Sequence, residues 1–581
     1  MVQDSAMLTH PLASWTLRGF RSIRDKTTFE LGGLTVLAGA NSAGKSSVLH
    51  SLLMCAQTLG NPLADRPLVL NGPLVRLGLA EDTVHEASGR SIELGFGLVP
   101  VEDLRGRGLS RGGFDRLDVQ AVLEVTPSGQ DFQIQETTVT AECSEPVPET
   151  QHLVMRQRTR AAAERTYREQ HLSRDAARSA ARRGSLQVEG TPLPPRTAGV
   201  RSRQFLPQEL SLVANEYERE VEQLVDHYFR WWTPRHNPPP RAVAQERISS
   251  PVHRLLRAYL TDELGPDAAD LISRSGTLTV GSLLAIDDPK VIRQLRNLTR
   301  SPWFLEHVDQ IGFRGTVVSA ELPFAVDSGL DYARRWFATR LQHLGPLRAD
   351  PQPLYGLPEA ASGTSVGRAG EYTAAVLSAH ASRIVRSPNP GGGPARDIPL
   401  GAAVDEWMKA LGLLSGVRSQ ERGKLGYELQ LEVEGVRRSL DLTTVGVGVS
   451  QALPIVVLGL ISSPGGMLLF EQPELHLHPD VQATLGDFFL ALVRSGRQLV
   501  VETHSEYLVN RLRRRAATDP ELEVPDTVRL YFFERSGAAS KVHAARIDSG
   551  GGMTDWPRGF LDTAAREIRE LARGPKQQSN R

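Results

Sequence analysis

The chain has 581 residues, 40% hydrophobic and 23% charged, a composition that suits about two to four folded units and excludes a mainly disordered polypeptide. Sixty-seven basic residues balance 67 acidic ones, so net charge points neither toward nucleic acid nor away from it. Two cysteines, Cys55 and Cys143, exclude a disulfide framework and a multi-cysteine zinc site, and no run of 18 apolar residues or leader-like start is present, so a cytoplasmic protein without membrane contact is expected.

Short β-type runs come first: Trp15 to Ile23, Lys26 to Leu31 and the almost wholly apolar Leu34 to Ala38. The third leads into Gly39-Ala-Asn-Ser-Ala-Gly44-Lys45-Ser46 and then into a helix-like stretch from Ser47 to Leu59. This is G-x-x-x-x-G-K-S in a strand-to-helix setting, and a chance glycine turn is a poor account of it. Glycines let backbone N–H groups turn toward phosphate oxygens, and the helix start adds partial positive charge. Lys45 is placed to reach the β- and γ-phosphates, and the Ser46 hydroxyl to hold Mg²⁺. Further β-like runs, Ser91 to Leu98, Leu117 to Val125 and Phe132 to Glu142, predict an antiparallel sheet.

Residues 151 to 203 hold 12 arginines against four acids. A solvated helix face explains such a run ordinarily, and contact with a phosphate backbone is the competing reading. Part of it, Ala161 to Arg183, predicts one helix. Helical patterns continue at Tyr217 to Trp232, Val252 to Leu264 and Lys290 to Leu298, and Trp231 and Trp232 are read as core or interface. Pro/Gly-rich stretches at Gly190 to Arg196, Thr233 to Pro240 and Ser387 to Pro399 read as mobile linkers.

Tyr427 to Glu434 alternates, turns at Gly435, and returns as Arg438 to Leu442, which predicts a hairpin. Gly446-Val-Gly448-Val-Ser450-Gln451 then opens an apolar helix from Ala452 to Ile461. Its serine is a helix N-cap by default, and the same geometry also presents a hydroxyl to an anion. A short strand, Met467 to Phe470, ends in Glu471-Gln472-Pro473-Glu474, the Walker B arrangement with a metal-holding carboxylate at the strand tip. Helix Asp480 to Arg494 and strand Gln498 to Glu502 follow, ending at Thr503-His504-Ser505, where His504 is placed to meet a γ-phosphate. His476 and His478 invite a metal reading but lack a third ligand of suitable spacing.

In this order the motifs resemble ABC-type ATPase heads of the branch that holds the SMC proteins, the RecF protein and the overcoming-lysogenization-defect (OLD) nucleases. Leu344-Gly-Pro-Leu-Arg348 and Val366-Gly-Arg-Ala-Gly370-Glu371 resemble further landmarks of the branch. The stretch around Asp555-Trp556-Pro557 and Gly559-Phe560 resembles a short C-terminal domain of unknown function in bacterial members. The resemblance implies an α/β fold: a P-loop mixed sheet flanked by helices, an antiparallel β subdomain and a helical, Arg-rich insertion. The expected division is 1–145 and 331–520 for the two halves of the head, 146–330 for the insertion and 521–581 for a small C-terminal domain. It also implies a head-to-tail homodimer that sandwiches two ATP molecules with Mg²⁺. Gly39, Asn41, Gly44, Lys45, Ser46 and Ser47 of one subunit would face Gly448, Ser450 and Gln451 of the other, with Ser46 and Glu471 at the metal.

The branch usually carries Asp-Glu-Pro-Glu where this chain has Glu471-Gln472-Pro473-Glu474. Glu471 can replace the aspartate, but a Gln472 carboxamide is no general base, a loss typically worth about 10²–10⁴ in rate. Either Glu474 or Glu502 takes over beside His504, or turnover is slow; slow turnover is the expectation. No Asp-x-Asp pair follows His504, so the nuclease centre of OLD proteins is not expected and an effector would be separately encoded. The resemblance thus points to a sensor or scaffold ATPase of an antiphage defence system. A RecF-like repair or chromosome-maintenance ATPase that clamps DNA through residues 151–203 is the alternative, and ATP versus GTP and any oligomer beyond the dimer stay open.

Overall fold

The computed structural model describes residues 10–61, 66–101, 113–144, 148–170, 172–183, 186–191, 193–194, 196–231, 244–273, 278–284, 286, 288–308, 313–356, 363–554 and 571. Trp232, the stretch Thr233 to Pro240 and the Asp555-Trp556-Pro557 segment lie outside them. The chain divides into two units: one of residues 1–154, 203–206 and 324–581, the other of residues 155–202 and 207–323. No helix among the described residues is long and apolar enough to cross a membrane.

The strands in chain order are β1 (Leu12–Arg18), β2 (Thr27–Glu30), β3 (Leu34–Gly39), β4 (Ser91–Leu98), β5 (Arg116–Val125), β6 (Phe132–Cys143) and β7 (Glu149–Gln157). Next come β8 (Leu186–Thr191), β9 (Thr197–Arg203), β10 (Leu206–Asn215) and β11 (Gly315–Ala320). The series ends with β12 (Leu341–Leu344), β13 (Ile384–Ser387), β14 (Arg396–Pro399), β15 (Gly416–Glu421), β16 (Tyr427–Glu432), β17 (Met467–Glu471), β18 (Gln498–Thr503), β19 (Val528–Ser536) and β20 (Ala539–Ala545).

The first unit is built on a six-stranded sheet in the order β12-β17-β18-β3-β19-β20. All its pairings are parallel except the last hairpin, β19–β20. Strands β3, β17 and β18 are buried along their whole length, which suits their Val/Leu-rich sequence, because helices cover both faces of a parallel sheet. Helix Val447–Ile461 is buried almost all round, and helix Pro479–Arg494 contributes Leu485, Phe488 and Phe489 to the same core as Phe470 and Val501. A second, antiparallel layer places β4, β5 and β6 beside β1, with alternating burial along β5. Trp15 of β1 is fully buried, stacks on Phe96 and donates its indole N–H to Ser51 Oγ of helix Lys45–Leu59 at 2.9 Å.

The second unit holds most of the arginine-rich segment, and the insertion expected to be mainly helical contains strands as well as helices. It carries the neighbouring strands β8, β9, β10 and β11 alongside its helices. The expected single helix from Ala161 to Arg183 is two, Arg160–Glu169 and Arg174–Arg183. Gln170 closes the first through N–H bonds to the Thr166 and Arg168 carbonyls, and Ser173 Oγ accepts the Ala176 N–H to open the second. Their small apolar face, Ala163, Tyr167, Ala177 and Ala180, packs into a core with Ala198 and Val213. A separate helical core gathers Val252, Leu256, Tyr259, Ile292 and Leu295.

Three other expectations change. Ser387 to Pro399 is the β13–β14 hairpin and its loop, where Trp407 Nε1 donates to the Pro388 carbonyl at 2.9 Å. The strand from Tyr427 pairs fully with the preceding β15, and the return through Leu440 makes one bridge to Leu431. Residues 528–545, within the expected small C-terminal domain, join the core sheet rather than standing apart from it: β19 lies against β3 from Val528 to Phe533. Its run Leu530-Tyr-Phe-Phe533 is too apolar to stand at a surface, and the interior beside β3 takes it.

Candidate functional site

Residues 40–44 form the turn between β3 and helix Lys45–Leu59. Gly44 has φ +102°, and a Cβ there would run into Ser22 Oγ and Ser540 Oγ. Glycine is therefore required on two counts, backbone conformation and space. No side chain caps the helix start and no acid occupies its first turn, so its N–H groups are directed to whatever anion enters. Ser22 Oγ lies 3.2 Å from Ser47 Oγ, which ties the helix to the β1–β2 turn.

Lys45 is 3% exposed and donates to the carbonyls of Gly39 at 3.1 Å and Ala40 at 2.8 Å. Burial lowers its pKa, while Glu502 and Glu474 pull the other way. The Ser46 hydroxyl donates to Glu502 Oε1 at 3.0 Å. Glu502 stands at the tip of β18, in register with Glu471 of β17 and Leu37 of β3. Burial first and Glu471 second push its carboxyl up to about 7, against Lys45 and the Ser46 bond.

Glu471, expected at the metal, is 5% exposed and accepts from His343 Nε2 of β12 at 2.7 Å. Burial works to raise its carboxyl, but the His343 bond, with the charges of His343, His50 and Arg368, outweighs this and holds it low. Glu474 Oε1 accepts the backbone N–H of His504 at 2.6 Å and so fixes the start of the histidine loop. Burial raises the Glu474 carboxyl against that bond. Burial lowers the His504 pKa, with Lys45 adding to it and a bond to the Gly39 backbone opposing it. Ser505 caps helix Glu506–Thr518 and donates to Gln482 Oε1 at 2.7 Å.

These groups surround a cleft of about 1160 Å³, walled by Asn41, Gly44, Lys45 and Ser46 on one side and by Gln472, Glu474, Glu502 and His504 on the other. Gln472 has φ +43°, a left-handed conformation that a non-glycine residue adopts only when held there, and its N–H bonds to the Glu502 carbonyl at 2.8 Å. Glu471 is not among the cleft's lining residues. His478 Nδ1 accepts the Asp480 N–H and caps helix Pro479–Arg494, so its chemistry is that of a cap.

Ser450 lies elsewhere. The cap of helix Val447–Ile461 is Gly446, and Ser450 is its fourth residue, 4% exposed, with its hydroxyl donated back to the Val447 carbonyl at 2.7 Å. It borders a small hollow with Ala349, Tyr355 and Gly370, away from the phosphate loop of its own chain. Gly448 sits over the loop at His476 and Leu477, and Gln451 is buried. The two landmark segments join each other: Gly345 N–H bonds to the Arg368 carbonyl and Ala349 N–H to the Ala369 carbonyl, both at 2.8 Å.

Three contributors escaped the motif reading, His343, Ser22 and Ser540, and a fourth, Arg348, was marked only as part of a landmark. Arg348 is 8% exposed, and burial lowers its pKa to about 10 against the pull of Glu471 and Glu474. Its place in Leu344-Gly-Pro-Leu-Arg348 was a signal for it; nothing local marks Ser540, which donates to the Ala43 carbonyl at 2.6 Å.

A glycine-containing turn between a buried parallel strand and a helix, faced by carboxylates from neighbouring strand tips, has the arrangement of a P-loop. Residues 414–509 match the family described as AAA ATPase domain, and residues 524–571 match a family described as a protein of unknown function (DUF3696). The AAA ATPase match thus spans β15 to β18, and the match of unknown function spans β19 and β20. No curated protein matches it. Among solved structures it is similar to an Smc head domain with an extended coiled coil bound to the C-terminal domain of ScpA, derived from Pyrococcus furiosus. The identity is 11% over 97% of this chain and 100% of that one, with a TM-score of 0.33. It is also similar to the SMC head domain from Thermotoga maritima, 9% identical over 92% of this chain and 98% of that one, TM-score 0.32.

Proposed function

We propose that the protein binds Mg²⁺–ATP in this cleft, dimerises head to tail around two such nucleotides, and hydrolyses them slowly. The observation that carries the slow step is Gln472: a carboxamide, held at φ +43°, lines the cleft where a general base is needed. Lys45, the capless helix start and Ser46 suit a triphosphate, and buried carboxylates with a hydroxyl suit a hard dication. The metal would supply charge neutralisation at the β- and γ-phosphates. Ser450, buried away from its own phosphate loop, supports a role in a partner's site. On this reading ATP acts as interfacial glue and the protein is a sensor or scaffold, with an antiphage role and a separate effector drawn from the motif resemblance.

The test is mass in solution with and without a non-hydrolysable ATP analogue. The wild type is expected to double in mass, and Lys45→Ala and Ser450→Arg to stay monomeric. Mixed, the two variants regain dimers, because one of the two composite sites is intact. An unchanged wild-type mass with bound nucleotide sinks the sandwich.

A second reading, a clamp on DNA, is favoured by Arg160, Arg165, Arg168 and Arg174, all exposed on the two helices of the second unit. It expects salt-sensitive, sequence-tolerant binding that weakens when the four become glutamine, with the log–log salt slope falling by about 0.9 per lost phosphate contact. Binding unaffected by these changes removes it.

A further inference from the structure

Two carboxylates compete for one place. Glu471 and Glu502 are register partners at the tips of adjacent strands β17 and β18, and a hard dication beside Ser46 needs an anionic oxygen from one of them. The motif reading chooses Glu471, the residue in the Walker B position.

The geometry chooses otherwise. The Glu471 carboxylate is engaged by His343 Nε2 at 2.7 Å, with the two side chains 7% and 2% exposed, and it does not line the cleft. That bond holds Glu471 Oε1 against the buried His343 and away from the cleft. Glu502 lines the cleft together with Lys45 and Ser46. Its Oε1 already takes the Ser46 hydroxyl at 3.0 Å, and the residue is 3% exposed. Its other oxygen, Oε2, is fully buried and has no hydrogen-bond partner among the described residues. A carboxylate oxygen left so is costly unless a proton, a donor or a cation comes to it. With Glu471 and Glu474 as near neighbours, the local field selects a cation.

Resting on the Mg²⁺–nucleotide reading above, we propose that Glu502, with Ser46, is the metal-facing carboxylate of this site, and that Glu471, locked to His343, is a buried support for the strand tips. Sequence position and metal role are thus exchanged between two neighbouring strands. The bond from Ser46 to Glu502 already spans from β18 to the first turn of the phosphate-loop helix.

The experiment uses the full chain, Mn²⁺ as the probe metal, and a fluorescent non-hydrolysable ATP analogue, read by Mn²⁺ electron paramagnetic resonance and by analogue affinity with and without metal. Glu502→Gln is expected to weaken Mn²⁺ by more than about tenfold. Glu471→Gln, which keeps an acceptor for His343, is expected to lose less than about threefold. Glu502→Cys moves the preference from Mg²⁺ to thiophilic Cd²⁺, a gain that a structural role would not give and that covers any folding defect in the glutamine variant. Loss of Mn²⁺ in Glu471→Gln with Glu502→Gln unchanged, or no Cd²⁺ gain in Glu502→Cys, overturns the assignment. If the wild type binds no nucleotide with or without Mn²⁺, the functional reading fails instead.

Discussion

The Ser540 hydroxyl donates a 2.6 Å hydrogen bond to the carbonyl of Ala43, joining the last strand of the core sheet to the turn of the phosphate loop. The Ser540 backbone N–H also bonds to the Ser22 carbonyl at 2.7 Å, so β20 and the β1–β2 turn grip the loop together. Removing the hydroxyl leaves the Ala43 carbonyl unpaired and the loop less organised. Ser540→Ala is expected to cost about 1 kcal/mol of nucleotide affinity, roughly fivefold. Ser540→Thr keeps the bond and most of the affinity. A titration showing equal affinity for wild type and Ser540→Ala removes this role.

Restoring a carboxylate at the Walker B tip tests the slow step. Gln472→Glu is expected to raise phosphate release by about 10²-fold, the lower end of what a general base contributes. Phosphate release at several per second in the wild type, unchanged by the substitution, contradicts the assignment.

Acid should weaken the fold through two histidines. Burial and Arg529 hold His10 down to about 4, and burial, with help from Arg21, holds His50 at about 4 as well. Both are neutral when folded, whereas the unfolded chain takes up protons below about 6.5. Stability is therefore complete above pH 6.5 and falls as pH drops through 6.5 toward 4, by up to about 3 kcal/mol per histidine. Urea midpoints at pH 7.5 and 5 measure the drop, and His10→Gln and His50→Gln should each flatten it. Parallel profiles for wild type and variants would show that other groups carry the acid response.

Arg497 is 1% exposed and has no carboxylate partner in its hydrogen bonds; its guanidinium serves the carbonyls of Leu460, Ser462 and Arg386 and the hydroxyls of Ser462 and Ser495. Burial lowers its pKa to about 10. A lysine cannot reproduce the planar fork, so Arg497→Lys and Arg497→Ala should both cost about 3–5 kcal/mol, read as a shift in denaturant midpoint. A lysine variant as stable as wild type would show that charge alone suffices.

Where neighbours in sequence are neighbours in space, the chain was readable. The turn from β3 into helix Lys45–Leu59 and strands β4, β17 and β18 follow from short patterns with strong local physics, whereas the meeting of Lys45 with Gln472, Glu474 and His504, from distant parts of the chain, was implied only by the family resemblance. The His343–Glu471 bond was not readable, because it depends on which strand lies beside β17 and no local pattern encodes that. The same holds for β19, whose apolar run fits any buried strand and reveals its partner only once β3 is known to lack one. The assigned cap at Ser450 failed for a smaller reason: the helix begins three residues earlier, so its hydroxyl turns back on the helix.

The placement of β3 sets an order of events during synthesis. Both strands that flank it, β18 and β19, are translated more than 450 residues later. A wholly buried strand so rich in leucine and valine must wait unpaired while the intervening unit, compact in itself, emerges first. Nascent chains stalled before residue 498 should therefore be strong clients of holding chaperones, and an early-terminated product should aggregate rather than persist as a half-competent enzyme.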